Sequence, residues 1–213
     1  MMNKPILFVS QIKRKSGCKD GYHAYSHRCG IELLISAFKH IGTDITEDDI
    51  STDAKGKPYI DNSKVFFNIS HCDGLAVCAL SEHPVGVDCE CVRKVSPAVM
   101  KKCFGSSEID YVDNSNDKNE AFSRIWTLKE SYVKMTGNGI SSDITDKCYD
   151  LSEGKVLFDS GAEFLHYDCL FDGERYFISI SEKTDNNNRI NLIQKPYFDI
   201  DNKYILLYNV FNN

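Results

Sequence analysis

Residues 122–134 read FSRIWTLKESYVK. With their neighbours they set a helical rhythm: Ala121, Ile125, Leu128, Tyr132 and Met135 recur at three- and four-residue steps, an apolar stripe for a core. Trp126, Glu130 and Lys134 recur at four-residue steps on a neighbouring stripe, so a carboxylate and an ammonium lie one turn apart. Gly137 and Gly139 suit a helix stop. Alone, Glu130 and Lys134 read as an ordinary solvated pair. What gives them meaning stands upstream.

There Val85 to Glu90 reads VGVDCE. On a strand, Asp88 and Glu90 project from one face, while Val85, Val87, Cys89 and Cys91 take the other. Gly86 shares the carboxylate face and leaves room beside it. Two like charges so close repel unless a cation sits between them, and a hard divalent ion such as Mg2+ prefers such oxygen ligands. A solvated strand face is the plainer alternative. Further upstream, Asn68-Ile69-Ser70-His71 ends a strand before a turn. Ser70 and His71 are able to hold phosphate oxygens. Adjacent residues do not make a nucleophile–base pair easily, and no G-x-S-x-G surrounds Ser70.

The rest of the chain supports a mixed α+β protein. At 213 residues with 42% hydrophobic and 26% charged content, it can bury a sizeable core. A net charge of −6 argues against a general nucleic-acid binder. No apolar run is long enough to cross a membrane, and the first residues do not read as a signal peptide. Nine scattered cysteines without a C-x-x-C pair fit reduced thiols in a cytoplasm. Ile6–Val9 read as a strand, followed by a basic loop at Lys13, Arg14, Lys15 and Lys19. A helix is expected over 22–41, with Ile31, Leu34, Ile35 and Phe38 inward, and a capped turn over 46–50. Strands over 65–70, 75–80 and 85–91 are expected to form a three-stranded antiparallel meander around the Asp73-Gly74 turn. Short helices over 96–104 and 106–112 follow, the second capped by Ser106 or Ser107. Beyond Gly139 strands return at 148–151, 155–158, 163–171 and 176–181, then a polar break at 185–188 and an apolar tail at 204–210. Two α+β halves of similar size are expected, residues 1–92 and 93–213.

In order, NISH, GVDCE and WTLKESYVK resemble the 4′-phosphopantetheinyl transferase family, in its longer single-chain Sfp-type branch. The family motifs are (N/S)-x-S-H, (V/I)-G-(V/I)-D-x-E and (F/W)-x-x-x-W-(S/T)-x-K-E-(A/S)-x-x-K. Gly56-Lys57-Pro58-Tyr59 and His27-Arg28 resemble it too. The register runs from about Lys13 to Ile140 and is looser beyond.

The resemblance implies two subdomains related by a pseudo-twofold, each a small, mainly antiparallel sheet packed on helices, with coenzyme A in the cleft. It implies a Mg2+-dependent transfer (Mn2+ as substitute) of phosphopantetheine from coenzyme A to a serine of an acyl or peptidyl carrier protein, releasing adenosine 3′,5′-bisphosphate. Asp88 and Glu90 would hold the metal. Glu130 would complete its shell or accept the serine proton, and Lys134 would neutralise the pyrophosphate and the leaving oxygen. Ser70, His71, Lys57, Arg28 and Lys13 would contact phosphates; Lys129 would reach phosphates or face solvent. Trp126 would pack and aim its helix. Lys101 and Lys102, near Met100 and Phe104, would dock an acidic carrier helix. The expected protein is a cytoplasmic monomer that touches neither membrane nor nucleic acid and serves fatty acid, polyketide or nonribosomal peptide biosynthesis. The rival readings are an inactive relative that binds without transfer and a Mg2+-dependent phosphohydrolase or nucleotidyltransferase. The early basic residues match the family's spacing only at Lys13, and nothing from Thr184 onward carries a family motif.

Overall fold

The computed structural model describes residues 2, 4–18, 21–141 and 143–184, and the backbone of 192–199 and 204–207. Lys19, the break at 185–188 and tail residues 208–210 lie outside the described residues. Strand β1 (Ile6–Gln11) leads to helix α1 (Tyr22–His40), a ribbon of β2 (Ile50–Thr52) and β3 (Pro58–Ile60), and a hairpin of β4 (Phe66–Cys72) and β5 (Leu75–Ser81). The plan then repeats. Strand β6 (Val85–Cys91) is followed by short helices α2 (Pro97–Cys103) and α3 (Ser106–Asn114), then long helix α4 (Lys118–Thr136). A second ribbon, β7 (Tyr149–Asp150) and β8 (Lys155–Val156), precedes a hairpin of β9 (Ala162–Phe171) and β10 (Glu174–Lys183). Strands β11 (Leu192–Asp199) and β12 (Tyr204–Leu207) follow.

The sheets run β12-β1-β5-β4 and β11-β9-β10-β6. In each half the first strand pairs with the second strand of the hairpin, and α1 and α4 are both 19 residues long. All pairings are antiparallel except β11 with β9. The sheets face each other over Leu7, Val77, Val87, Cys89, Tyr167 and Ile178. Outside them, α1 covers the first sheet with Leu33, Leu34, Ala37 and Phe38, and α4 covers the second, with Tyr132 against Phe164 and the backbone of Ser131 and Met135 against Gly86. The protein is thus helix, sheet, sheet, helix. No helix among the described residues is long and apolar enough to cross a membrane.

Three expectations need correction. β6 does not extend a meander with β4 and β5; it pairs with β10 from Val85↔Glu182 to Cys91↔Tyr176. By pairing, the chain changes sheets at residues 82–84, and β12 returns to the first sheet beside β1. The reason is burial: Val85, Val87 and Cys89 fill the inter-sheet core while the opposite face of β6 meets α4. The cap of α3 is Gly105, whose N–H donates to the Glu108 carboxylate at 2.9 Å. On α1, Leu33 is buried while Ile35 is only half-buried.

The ends of α4 are set by local chemistry. Asp117 accepts from the N–H groups of Asn119 and Glu120, both at 3.0 Å, and Gly137 takes the left-handed conformation (φ 67°) that stops the helix. Gly86 fixes its distance from the sheet. A Cβ there would sit 2.1 Å from the Ser131 carbonyl oxygen and 2.3 Å from Met135 N, both backbone atoms of α4. Gly86→Ala is expected to lower unfolding free energy in urea by about 3 kcal/mol or more, because backbone has to move to admit the methyl group. A loss below about 1 kcal/mol would show that the contact is soft.

Candidate active site

The three motifs meet where the edges of the two sheets approach under α4. Asn68 Oδ1 accepts the Val87 backbone N–H at 2.8 Å, fastening β4 to β6. This buried asparagine was missed as a site builder in the sequence; its place two residues before Ser70 on one strand face was the available signal. One step along, Ser70 Oγ donates to Asp88 Oδ1 at 2.9 Å. Lys134 Nζ donates to the same oxygen at 2.6 Å and to Ser70 Oγ at 2.8 Å. Burial opposes the Lys134 charge, but Asp88, with Cys89 and Glu130, more than offsets it and leaves its pKa raised.

Glu90 accepts the Trp126 indole N–H at 3.0 Å and has Arg93 at 3.6 Å. Trp126 therefore orients a carboxylate, a role beyond the packing expected of it. Arg93, also missed, lies over the rings of Phe122 and Trp126 at 5.4 and 5.3 Å. Burial and then the Asp88 charge push Glu90 up to about 7, against Arg93, Lys134 and the indole donor. Burial and Asp88 raise Glu130 in the same way. His71 stands edge-on to His23, with ring centroids 6.0 Å apart; burial first, then His23, His27 and Lys134, lower its pKa.

Other expected residues are placed differently. Lys57 Nζ donates to the carbonyls of Lys134 at 2.6 Å and Met135 at 3.4 Å, and Lys55 Nζ to that of Gly137 at 2.9 Å. Both lysines answer the unpaired carbonyls and negative end of α4. Lys129 neither reaches the cleft nor faces solvent. It is 1% exposed, pairs with Glu108 at 2.9 Å and donates to the carbonyls of Ile144 and Lys147. Lys13 and Arg28 are exposed, and among the described residues neither side chain bonds to this cluster. Arg14, from the basic loop, bridges the halves through Glu174 at 3.2 Å and the Tyr176 hydroxyl at 3.1 Å.

Asp88 Oδ2 is buried without a hydrogen-bond partner. With Glu90 and Glu130 both raised partly by the Asp88 charge, these carboxylates are short of positive charge, as a hard divalent cation would require. Among the described residues, no three His, Cys, Asp or Glu side chains are gathered closely enough to hold a metal unaided. Mg2+ commonly needs only one or two carboxylates, with phosphate oxygens and water completing its shell, so the donor set fits.

A family model, the 4′-phosphopantetheinyl transferase superfamily, matches residues 84–193. The chain belongs to this superfamily. Within it the likeness is to the Sfp type. The chain is 38% identical over 104 residues to the 4′-phosphopantetheinyl transferase gsp of Aneurinibacillus migulanus, covering 48% of this chain and 44% of that one. It is 30% identical over 141 residues to Sfp of Bacillus subtilis strain 168, covering 63% and 62%. The matches thus span about half to three-fifths of these relatives' length. A holo-[acyl-carrier-protein] synthase structure from Thermotoga maritima overlaps with a TM-score of 0.36 at 24% identity, over 47% of this chain and 63% of that one, too slight a likeness to carry any argument.

With its folded pKa raised from 4.5 to about 7, Glu90 keeps a proton in the folded chain that the unfolded chain releases. Its contribution to stability is full below pH 4.5 and is lost as pH rises through 7. Glu90→Gln, neutral throughout, is expected to melt above the parent at pH 8 in EDTA and to show no gain at pH 4. A difference that does not vary with pH would remove Glu90 from this account.

Proposed function

We propose that the chain transfers the 4′-phosphopantetheine group of coenzyme A to a serine hydroxyl of an apo acyl or peptidyl carrier protein, releasing adenosine 3′,5′-bisphosphate. The observation that carries the reading is the contact of Ser70, Asp88 and Lys134, one residue from each motif, within 2.9 Å of one another. The names of the relatives support the same reaction.

Attack on a pyrophosphate phosphorus asks for charge neutralisation and alignment more than for covalent help. Asp88, Glu90 and Glu130 would hold a divalent cation, Mg2+ by preference, which when bound supplies neutralisation of the pyrophosphate. Lys134, held charged by Asp88, neutralises the phosphate oxygen that becomes the leaving group. Ser70 and His71 bind phosphate oxygens beside it. Glu130, its pKa raised by burial and the Asp88 charge, takes the proton from the carrier serine as the new P–O bond forms and the pyrophosphate P–O bond breaks. Coenzyme A and the carrier are the partners, in a cytoplasmic monomer.

The carrier is weighed by intact-mass spectrometry after incubation with the protein, coenzyme A and Mg2+. A gain of one phosphopantetheine, abolished by EDTA, is expected; Asp88→Ala and Glu130→Gln are expected to fold and to lose about 100-fold or more in kcat/KM. Full activity in either variant would cancel its role. Coenzyme A cleavage without a carrier would point to a hydrolase.

Lys101 and Lys102 are exposed at the end of α2, beside the buried Met100 and Phe104. They suit an acidic carrier helix. Reversing both to Glu is expected to raise KM for the carrier about tenfold while coenzyme A affinity stays at the parent value. An unchanged carrier KM would place docking elsewhere.

A further inference from the structure

Behind Asp88, on the sheet face covered by α4, runs a polar row that no motif contains. Ser179 of β10 is paired with Asp88 of β6 on one side and with His166 of β9 on the other. Paired residues share a face, with Cβ atoms about 4.5–5.5 Å apart. The rungs on either side are Gly86–Ser181–Phe164 and Glu90–Phe177–Asp168. The middle rung is sealed: Ser179 is 0%, His166 1% and Asp88 5% exposed. Ser131 of α4 hydrogen-bonds Ser181 at 2.7 Å, and the His166 ring lies parallel to Phe177 with centroids 5.5 Å apart. His166 Nδ1 and Ser179 Oγ are 2.8 Å apart. Two buried polar atoms of this row have no partner, Asp88 Oδ2 and His166 Nε2.

Counting hydrogens settles the direction of the Ser179–His166 bond. Burial and the Arg124 charge keep the imidazole neutral, against Asp168, so it carries one N–H. On Nε2, that hydrogen would be a buried donor with nothing to meet. On Nδ1 it is donated to Ser179 Oγ, and only a bare ring nitrogen is left unpaired, the cheaper arrangement. The serine hydroxyl is then an acceptor toward His166, and its own hydrogen is free to point across the sheet toward the unpartnered Asp88 oxygen. No hydrogen bond joins the two atoms in the structure, and its formation is what the proposal supplies.

We propose that Ser179, oriented by His166, is a positioning residue for Asp88. It fixes the plane of the carboxylate from behind, through Oδ2, while Ser70 and Lys134 hold Oδ1 from the cleft. This rests on the metal reading given above and adds to it a supporting layer behind the ligand. Partners of this kind typically change metal affinity by about 10- to 100-fold.

The test measures Mn2+ binding by electron paramagnetic resonance with coenzyme A present, and thermal melting alongside, so that no turnover is needed. Ser179→Ala is expected to weaken Mn2+ about tenfold or more while melting close to the parent. Ser179→Cys keeps the volume with a poorer donor and gives the same readout if the alanine variant does not fold. His166→Asn, whose amide nitrogen can stand where Nδ1 stands, is expected to keep near-parental affinity. His166→Gln, whose amide reaches the Nε2 position instead, is expected to match Ser179→Ala. Parental Mn2+ affinity in the Ser179 variants would overturn the proposal alone. Equal weakening by Asn and Gln at 166 would overturn the orienting role of His166. Absence of Mn2+ binding by the unaltered chain would overturn the metal reading and this proposal with it.

Discussion

Everything in the candidate site depends on how closely α4 lies on β6. That distance is set by the missing side chain of Gly86, against which the Ser131 carbonyl and the Met135 backbone rest. Move the helix outward by the width of a methyl group and Lys134 no longer reaches Asp88 at 2.6 Å, nor Trp126 the Glu90 carboxylate at 3.0 Å. The glycine is therefore as much a part of the site as the charges beside it. Tight packing and a polar helix face go together here: Ser123, Thr127 and Ser131 are fully buried and bond to helix carbonyls, and Ser131 also to Ser181.

Two kinds of buried charge hold this geometry. The Lys129–Glu108 pair is closed: Glu108 also receives the N–H groups of Gly105 and Tyr149, and Lys129 reaches two further carbonyls. Each charge is satisfied, so the pair fixes α4 relative to α3 and the loop before β7 without inviting a ligand. The Asp88–Lys134 pair is open, since Asp88 keeps an unpartnered oxygen beside two carboxylates whose charge it opposes. A further set, Arg124 and Arg175 with Glu120 and Asp168, ties α4 to β9 and β10 at the other end of the helix. The difference between closed and open networks separates scaffold from site better than residue type does.

Much of this was readable from the sequence because the signals were local. The stripe at Ala121, Ile125, Leu128, Tyr132 and Met135 is buried as the 3.6-residue period requires, and alternation along 85–91 sorts Val87 and Cys89 from Asp88 and Glu90. What was not readable depended on distant partners. Nothing in VGVDCE says whether its hydrogen bonds go to β5 or to β10, because either neighbour satisfies a strand edge. Lys129 stayed open between phosphates and solvent because Glu108, which neutralises it, lies 21 positions earlier in a different helix. Lys57 has acceptors of the same distant kind, the carbonyls at the far end of α4. His166 and Ser179 carry no motif, and only strand register aligns them with Asp88.

The pairing of β12 with β1 has a consequence for synthesis on the ribosome. Leu7 faces Leu207 and Ser10 faces Tyr204, so the outermost pair of the first sheet joins segments about two hundred positions apart. While translation proceeds, β1, α1 and the β4–β5 hairpin can assemble early, but the free edge of β1 stays uncovered until residues 204–207 emerge. During that interval the nascent chain presents an open strand to other polypeptides nearby. Closing it is a long-range event, and the exposed interval lasts for as long as the ribosome takes to travel from β1 to β12.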